Sequence, residues 1–352
     1  MNYNSNTRIL NECSNSRIRF LIRVFVPLFV LSFGFYAPSN AARTGTTDDP
    51  MTIGGGARPL GMGRAFVAIA DDADAPFINP AGTAGISGPQ LMTMFTNLMG
   101  EVYYIELSGS VPSRIGTLGF GYITTGVNQV WTPLDGGGTV LSDYYDNLLL
   151  ATYSTPLARF FDYGRNIYIG ANAKVFLRGW MGGVNESAIG YSADFGVKFI
   201  ATPNLSFGFC RQNLIPVGIG GVLRWVSGAE EAIAGIYKAG IAVKPKQAGG
   251  ALLIAADVDL PAQSGRPFTA HLGTEWKLNK LLTIRGGADQ SVDSSSSTKT
   301  CWNPTFGISL GLAGFRADYA YHAYYNDPMY ATHYVSFSFT GAPRFALTGE
   351  TQ

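Results

Sequence analysis

The sequence predicts an all-β fold, a transmembrane antiparallel β-barrel of about 14 strands with an N-terminal plug, or hatch, in its lumen. Charged residues make up only 14% of the chain, against about 25% in soluble domains. After the first 42 residues, no run approaches the roughly 18 apolar residues that indicate a membrane helix. Short segments instead alternate apolar and polar residues, which is typical of strands that separate lipid from a polar lumen.

The first 42 residues predict a signal peptide that is cleaved after export. Several arginines precede an apolar run at 24–37, and the small residues Ala41 and Ala42 follow that run. Roughly 14 apolar residues interrupted by Pro27 are too few for a membrane anchor, which needs about 20. We therefore expect cleavage after Ala41 or Ala42.

Alternation assigns one face of each segment to lipid and the other to the lumen. The segment 251–260 places Asp257 and Asp259 on one face, and Leu252, Ile254 and Val258 on the other. The first face suits water and the second suits lipid. The same split along other segments gives the predicted lumen-facing residues, which are Lys174, Asp194, Lys198, Asp257, Asp259, Arg285, Arg316 and Asp318.

About fourteen such segments follow one another, an even number that suits a barrel with both chain ends on one side. They are 91–98, 102–111, 115–126, 144–155, 166–179, 187–201, 204–213, 232–244, 251–260, 268–278, 280–290, 304–312, 314–322 and 332–340. Connections after odd-numbered segments, such as 127–143 and 214–231, are mostly the longer ones, as in the outer loops of bacterial barrels. A soluble two-sheet sandwich is the alternative, but it gives no reason for loop length to follow strand parity.

The segment 43–89 is rich in glycine and aspartate and has neither helical nor strand periodicity. Its glycines permit tight and left-handed backbone. We expect Asp71, Asp72 and Asp74 to pair with lumen-facing cations, namely Lys174, Lys198, Arg285 or Arg316. Apolar residues between them favour a plug over a disordered leader. The predicted plug residues are Gly61, Met62, Gly63, Asp71, Asp72, Asn79, Pro80 and Ala81.

The loop 214–231 is unusual because it is long and apolar. Leu223 and Trp225 are its candidate functional residues. They form either a landing site for a lipid-like ligand or a protein partner, or an anchor that packs at the barrel rim. Both alternatives stay open at this stage.

The sequence predicts no enzyme. Gly61-Met62-Gly63 lacks the third glycine of a dinucleotide motif and no strand-turn-helix frames it. His271 and His322 fall on polar strand faces, where we expect them to line the pore or to hydrogen-bond within the wall. We therefore predict no catalytic residue, no metal and no cofactor. A net charge of +1 also argues against a nucleic-acid partner.

Residues 56–68, followed by Asp71-Asp72 and Asn79-Pro80-Ala81-Gly82, resemble the opening signature of the PorV/PorQ family and of the wider FadL-like outer-membrane proteins. That pattern usually has glycine where this chain has Arg64. Asn213-Leu214 and the segment 318–321 are similar to later landmarks of the family. The resemblance implies a 14-stranded barrel whose N-terminal segment folds into the lumen as a hatch.

The resemblance also implies a function. We expect an integral protein of the outer membrane of a Gram-negative-type bacterium, which passes hydrophobic small molecules passively past the hatch. Outer-membrane lipids and a hydrophobic ligand are then its partners. The alternative is a PorV-like barrel that escorts or scaffolds protein cargo of a type IX-like secretion system. The predicted organisation is a signal peptide at 1–42, a plug at 43–89, a barrel at 90–340 and a tail at 341–352.

Overall fold

The computed structural model describes residues 45–47, 49–134, 136–161, 164–263, 266–292, 299–325 and 331–343. The predicted signal peptide lies outside the described residues, as does most of the predicted tail. Within the described ranges, no helix is both long enough and apolar enough to cross a membrane.

In the described part of the chain, seventeen strands form one sheet, and fourteen of them close into an antiparallel barrel. The strands are β1 (Gly45–Thr47), β2 (Gln90–Leu98), β3 (Val102–Ser113), β4 (Gly116–Pro133), β5 (Thr139–Pro156), β6 (Ile167–Gly182), β7 (Glu186–Thr202), β8 (Leu205–Gln212), β9 (Val222–Trp225), β10 (Glu230–Ile233), β11 (Ile236–Val243), β12 (Leu252–Pro261), β13 (Thr269–Lys277), β14 (Leu282–Val292), β15 (Thr300–Leu312), β16 (Phe315–His322) and β17 (Thr332–Thr340).

The barrel wall consists of β2 to β8 and β11 to β17 in chain order. β8 pairs with β11 across the gap in numbering. β17 pairs with β2 and closes the wall, with Val335 opposite Phe95 and Thr340 opposite Gln90. Each of the fourteen predicted segments overlaps one wall strand, so the predicted fold class is confirmed. We name the end where β2 begins and β17 ends the terminal end, and the opposite end the far end.

The wall has an apolar outer face and a polar inner face. In β12, Ile254 is 47% exposed, whereas Asp257 and Asp259 are buried, because successive side chains of a strand point to opposite sides. The same alternation exposes large apolar residues all around the barrel. Examples on the outer face are Leu91, Phe95, Leu272, Phe306, Leu310 and Phe337. An apolar band of this kind suits contact with lipid.

Two predicted connections are wrong in their extent. Most of the predicted loop 127–143 is strand, because Val130, Trp131 and Thr132 continue the ladder between β4 and β5. β-Branched and aromatic residues favour such a ladder, and a partner strand stabilises it beyond the point where strict alternation ends. The predicted loop 214–231 contains β9 and the first two residues of β10, and these two strands pair with each other.

The wall is interrupted beside β7. β8 pairs with β7 from Phe195 to Thr202, and β9 pairs with it again only at residues 188–190. Between these two ladders the chain leaves the wall at Asn213, which has a left-handed φ of 54°. Asparagine tolerates that conformation better than most residues. The predicted strand 232–244 is likewise divided into β10 and β11, and β1 adds to β10 in parallel.

Residues 49–88, which we name the luminal segment, contain only short helices. α1 (Ala57–Gly61) and α2 (Ala75–Ile78) are single turns, and 3-10 helices span Pro50–Thr52 and Pro80–Gly85. Each 3-10 helix begins at a proline that follows an extended capping residue. Asp49 accepts a hydrogen bond from the Met51 N–H, and Asn79 accepts one from the Ala81 N–H. Proline and the cap together start a helix that the following residues do not extend.

Candidate functional site

The luminal segment lies inside the barrel and bridges its two sides. α1 packs against β14, β15, β16 and β17, whereas the 3-10 helix Pro80–Gly85 packs against β4, β5, β6 and β7. Large apolar side chains along it are almost fully buried, among them Leu60, Met62, Phe66 and Phe77. The segment therefore forms the apolar core of the lumen, although the wall strands themselves present mostly polar side chains there.

The Gly61-Met62-Gly63 turn packs backbone against backbone on the wall. A Cβ atom on Gly63 would lie 2.6 Å from the Ala288 nitrogen and from the Leu272 carbonyl oxygen. The wall also has glycine at this contact, since a Cβ on Gly273 would lie 2.3 Å from the Met62 carbonyl oxygen. Gly63 also has φ +58°, which an L side chain rarely adopts. Glycine is needed here on both surfaces of the contact.

Asn79, Pro80 and Ala81 make a second contact of this kind. The Asn79 amide donates to the carbonyl oxygens of Val67, at 3.0 Å, and Val197, at 3.2 Å. A Cβ on Gly170 would lie 2.4 Å from the Pro80 carbonyl carbon. The Asn-Pro-Ala turn thus joins two parts of the luminal segment to β7 and rests on a glycine of β6.

A buried network of ion pairs holds the segment to the opposite wall. The Arg58 guanidinium contacts Asp71 at 2.6 Å, Asp72 at 2.7 Å and Glu275 at 2.8 Å. Arg316 of β16 contacts Asp72 at 3.0 Å. Burial opposes ionisation of Asp72, but Arg58 and Arg316 outweigh it and hold its pKa below the usual value. Asp72 therefore pairs with Arg58 of the segment and with Arg316 of the wall.

Asp74 differs from its neighbours because it makes no ion pair with any of the described residues. It is 1% exposed, and among the described residues neither carboxylate oxygen has a hydrogen-bond partner. Burial, with the negative charges of Asp72 and Glu106, raises its pKa well above the usual value. Glu106 is itself buried and accepts a hydrogen bond from the Gly56 N–H at 3.0 Å. Asp74 is thus a carboxyl group that favours its neutral form while the segment is docked.

Of the four cations that we expected to pair with the aspartate cluster, Arg316 does so and the other three have different partners. Lys174 contacts Asp49 at 2.8 Å and Asp194 at 3.0 Å. Lys198 donates to the carbonyl oxygens of Ile69 and Ala70 instead of to a carboxylate.

Arg285 contacts Glu275 and Asp318, both of which lie in the wall. Asp257 accepts from the backbone N–H groups of Phe66, at 2.6 Å, and Val67, at 2.7 Å. Asp259 pairs with Lys238 at 2.6 Å. Inner-face charges of the wall therefore contact both the backbone and the side chains of the luminal segment, and some contact only one another.

Leu223 and Trp225 do not form a surface that faces water. Leu223 is 1% exposed, and Trp225 packs against the buried core and donates from its indole nitrogen to Glu231 at 2.9 Å. β9 carries both residues and pairs with β7. Both side chains therefore pack within the protein, and a role of this loop in binding a ligand or a protein partner stays a prediction.

Two cavities lie at opposite ends of the luminal segment. The larger, of about 400 Å³, is at the far end, and we name it the far-end pocket. Thr52, Ile53 and Arg64 of the luminal segment line it, together with the wall and loop residues Leu98, Met99, Val102, Asp289, His322, Tyr324, Thr332 and Tyr334. The smaller, of about 90 Å³, is at the terminal end, where Ala68, Ile69 and Asp71 of the segment face wall residues such as Lys198 and Asn204.

The polar side of the far-end pocket is a hydrogen-bonded group centred on Asp289. Its carboxylate contacts His271 Nδ1 at 2.6 Å and His322 Nε2 at 2.8 Å. Arg64 of the luminal segment lies 3.6 Å from the same carboxylate. The histidines thus hydrogen-bond within the wall, and Asp289 joins the pocket wall to its floor.

Comparison with known proteins shows the fold. No protein-family model matches the sequence, and no curated protein matches it. Among solved structures, CymD, described as a monoaromatic hydrocarbon channel, matches with a TM-score of 0.57 and 12% identity over 82% of this chain and 98% of its own. The toluene transporter TbuX of Ralstonia pickettii matches with a TM-score of 0.54 and 11% identity, over 82% of this chain and 98% of its own.

A deltaS2 mutant of TodX, described as a monoaromatic hydrocarbon channel, gives a TM-score of 0.56 and 14% identity. The match covers 82% of this chain and 99% of the TodX chain. This chain shares their fold. The matches span almost the whole length of each of these proteins, so the shared fold extends over the complete barrel rather than a few strands.

Sequence reasoning missed several residues that this barrel brings together. Arg58, Glu106, Glu275 and Asp289 were not predicted as site residues, yet each is buried at a contact between segment and wall. A signal for Glu275 was present, since it alternates with His271 and Gly273 on the polar face of β13. Arg58 had no such signal, because the luminal segment has no periodicity from which to assign a direction.

Proposed function

We propose that this protein is an outer-membrane channel that passes small hydrophobic compounds when the luminal segment moves. The observation that carries the proposal is the mostly apolar far-end pocket of about 400 Å³, whose floor is the luminal segment itself. The luminal segment lies between this pocket and the rest of the lumen, so a compound in the pocket has no clear path through the barrel. The apolar outer face of the barrel supports its placement in a membrane, with the far end outside the cell.

The contacts of the luminal segment support motion as a unit. Ion pairs through Arg58 and hydrogen bonds through Asn79 attach it to the wall, whereas the wall strands hydrogen-bond to one another and close without it. Displacing the segment therefore leaves the wall ladder unchanged. The matched channels and transporters support the FadL-like part of the resemblance, while PorV/PorQ membership and a secretion role stay predictions.

A disulfide that locks the segment tests the proposal. A Cβ on Gly61 would lie 3.5 Å from the Cβ of Ala320, within the range for a disulfide. The double variant Gly61→Cys, Ala320→Cys is made in a background in which the free thiols are removed by Cys210→Ala and Cys301→Ser. Uptake of radiolabelled toluene is measured in cells that lack another hydrophobic channel, before and after reduction.

We expect the oxidised double variant to take up toluene at the rate of cells without the protein, and the reduced variant to recover the rate of the parent. Each single-cysteine variant serves as the matched control. If the parent never exceeds cells without the protein, the transport proposal fails. If the oxidised variant transports like the parent, the segment is not the moving element.

A further inference from the structure

Arg64 occupies a backbone position that suits glycine. Its φ is 66°, in the left-handed region, which is a strained conformation for a residue with a Cβ. Strained residues of this kind persist where the surrounding structure holds them, and they cluster at ligand sites. The side chain leaves this position towards the far-end pocket, where 23% of it is exposed.

Several N–H donors of the Arg64 guanidinium have no hydrogen-bond partner among the described residues. It carries five N–H donors. Within the described part of the chain it makes one hydrogen bond, from Nη2 to the Thr52 carbonyl oxygen at 2.6 Å. Its other polar contact is the ion pair at 3.6 Å with Asp289, whose carboxylate oxygens already accept from His271 and His322. Unused donors therefore lie at the floor of a pocket.

Beside these polar groups, the far-end pocket also has an apolar surface. Ile53, Leu98, Met99 and Val102 supply this surface. A cavity of about 150 Å³ already holds benzene in a protein interior, so the far-end pocket has room for a substituted ring. A pure hydrocarbon would cover the guanidinium and leave its donors without partners, which is unfavourable because the donors lose their contact with water.

We propose that the far-end pocket binds a small hydrophobic compound that carries an oxygen acceptor, such as a phenol, and that Arg64 donates to that oxygen. The inference rests on the proposed function and narrows its class of ligand. The apolar residues hold the hydrocarbon part, and Arg64 discriminates between compounds of the same shape with and without the oxygen. If Arg64 had only a structural role, it would pair the luminal segment with Asp289 and would not discriminate between these compounds.

Equilibrium dialysis of the purified full-length protein in detergent tests the proposal with two radiolabelled probes, p-cresol and toluene, which differ by one hydroxyl group. Arg64→Met keeps an apolar stem and removes the donors, and Arg64→Lys keeps a charge with three donors. Arg224→Met is the matched control, because Arg224 is exposed on β9 and pairs only with Glu230 among the described residues. Comparing each probe between variants cancels its partition into detergent.

We expect Arg64→Met to weaken p-cresol binding about tenfold, the loss of one charge-assisted hydrogen bond. Toluene binding should change less than twofold, and Arg64→Lys should recover part of the p-cresol affinity. Equal weakening of both probes would show that Arg64 only maintains the pocket, and would overturn the inference while leaving the transport proposal intact. Failure of the wild type to bind p-cresol would overturn the inference, and failure to bind both probes would also count against the proposed function.

Discussion

The barrel wall and the luminal segment are both well packed, but different properties of the sequence produce their order. The wall obtains its order from a period of two, which places Ile254 on the exposed outer face and Asp257 inside. The luminal segment has no period, and it is fixed by individual contacts at glycines and charges. A repeated pattern tolerates change at most positions, whereas a set of single contacts depends on each residue that makes one.

The difference is clearest where the two regions touch. Gly63 of the segment and Gly273 of the wall meet through backbone atoms, and a glycine in an ordinary strand only weakens it. At this contact the inner face of the wall carries glycine, which has no side chain, and the backbone of the segment can therefore approach it closely. The stability of docking therefore depends on shape, and the three predictions below test it through the free energy of displacing the segment.

The largest effect is expected for Gly63→Ala. The new Cβ meets wall backbone at 2.6 Å in a left-handed conformation, so displacement of the segment should become easier by roughly 4 kcal/mol. The rate of chymotryptic cleavage at Phe66, which is buried in the docked segment, measures displacement. The wall should remain folded, as shown by anomalous gel migration before boiling.

Gly85→Ala is the matched control for this variant. A Cβ on Gly85 meets nothing within 4 Å, so cleavage at Phe66 should stay within about 0.5 kcal/mol of the wild type. Equal sensitivity at the two glycines would contradict the view that single contacts fix the segment.

A smaller effect on the free energy of displacing the segment is expected for Arg58→Met. The change leaves Asp72 and Glu275 buried, but each keeps another cation, Arg316 and Arg285 respectively. We therefore expect displacement to become easier by about 2–3 kcal/mol, less than for a buried pair that loses its only partner. The same cleavage assay measures it. Arg224→Met, at an exposed pair, should change the rate by less than about 0.5 kcal/mol.

The smallest effect is the change that Asp74 causes for each unit of pH, at most about 1.4 kcal/mol in the free energy of displacing the segment. Docking raises its pKa well above the usual value, so the displaced segment loses this proton at a lower pH than the docked one. Near and below the ordinary carboxyl pKa of about 3.9 both states are protonated and pH has no effect. Above it, displacement should become easier by up to about tenfold per pH unit, until the raised pKa is reached.

Asp74→Asn should remove this dependence. The ratio of wild-type to variant cleavage rates at Phe66, measured from pH 6 to pH 9, cancels the pH dependence of the protease. The charged groups that act on Asp74 are Asp72, Glu106, Arg316 and Asp318, and all are retained in the variant. A ratio that stays constant across this range would show that Asp74 does not change its protonation when the segment is displaced.

The sequence by itself determined the fold class and the strands. Fourteen alternating segments were sufficient, because each wall strand has an exposed outer face and a buried inner face, and that environment repeats every two residues. It also identified inner-face charges such as Lys174 and Asp318, which lie on the polar side of clear alternation.

Only the tertiary structure decided what those charges contact and where the luminal segment rests. Arg58 joins Asp72 to Glu275 across more than 200 positions of sequence, and a segment without periodicity gives no direction to its side chains. The tertiary structure also decided how far β4 and β5 extend and that β9 pairs with β7. In each case the stabilising partner is distant along the chain, and local alternation carries no information about it.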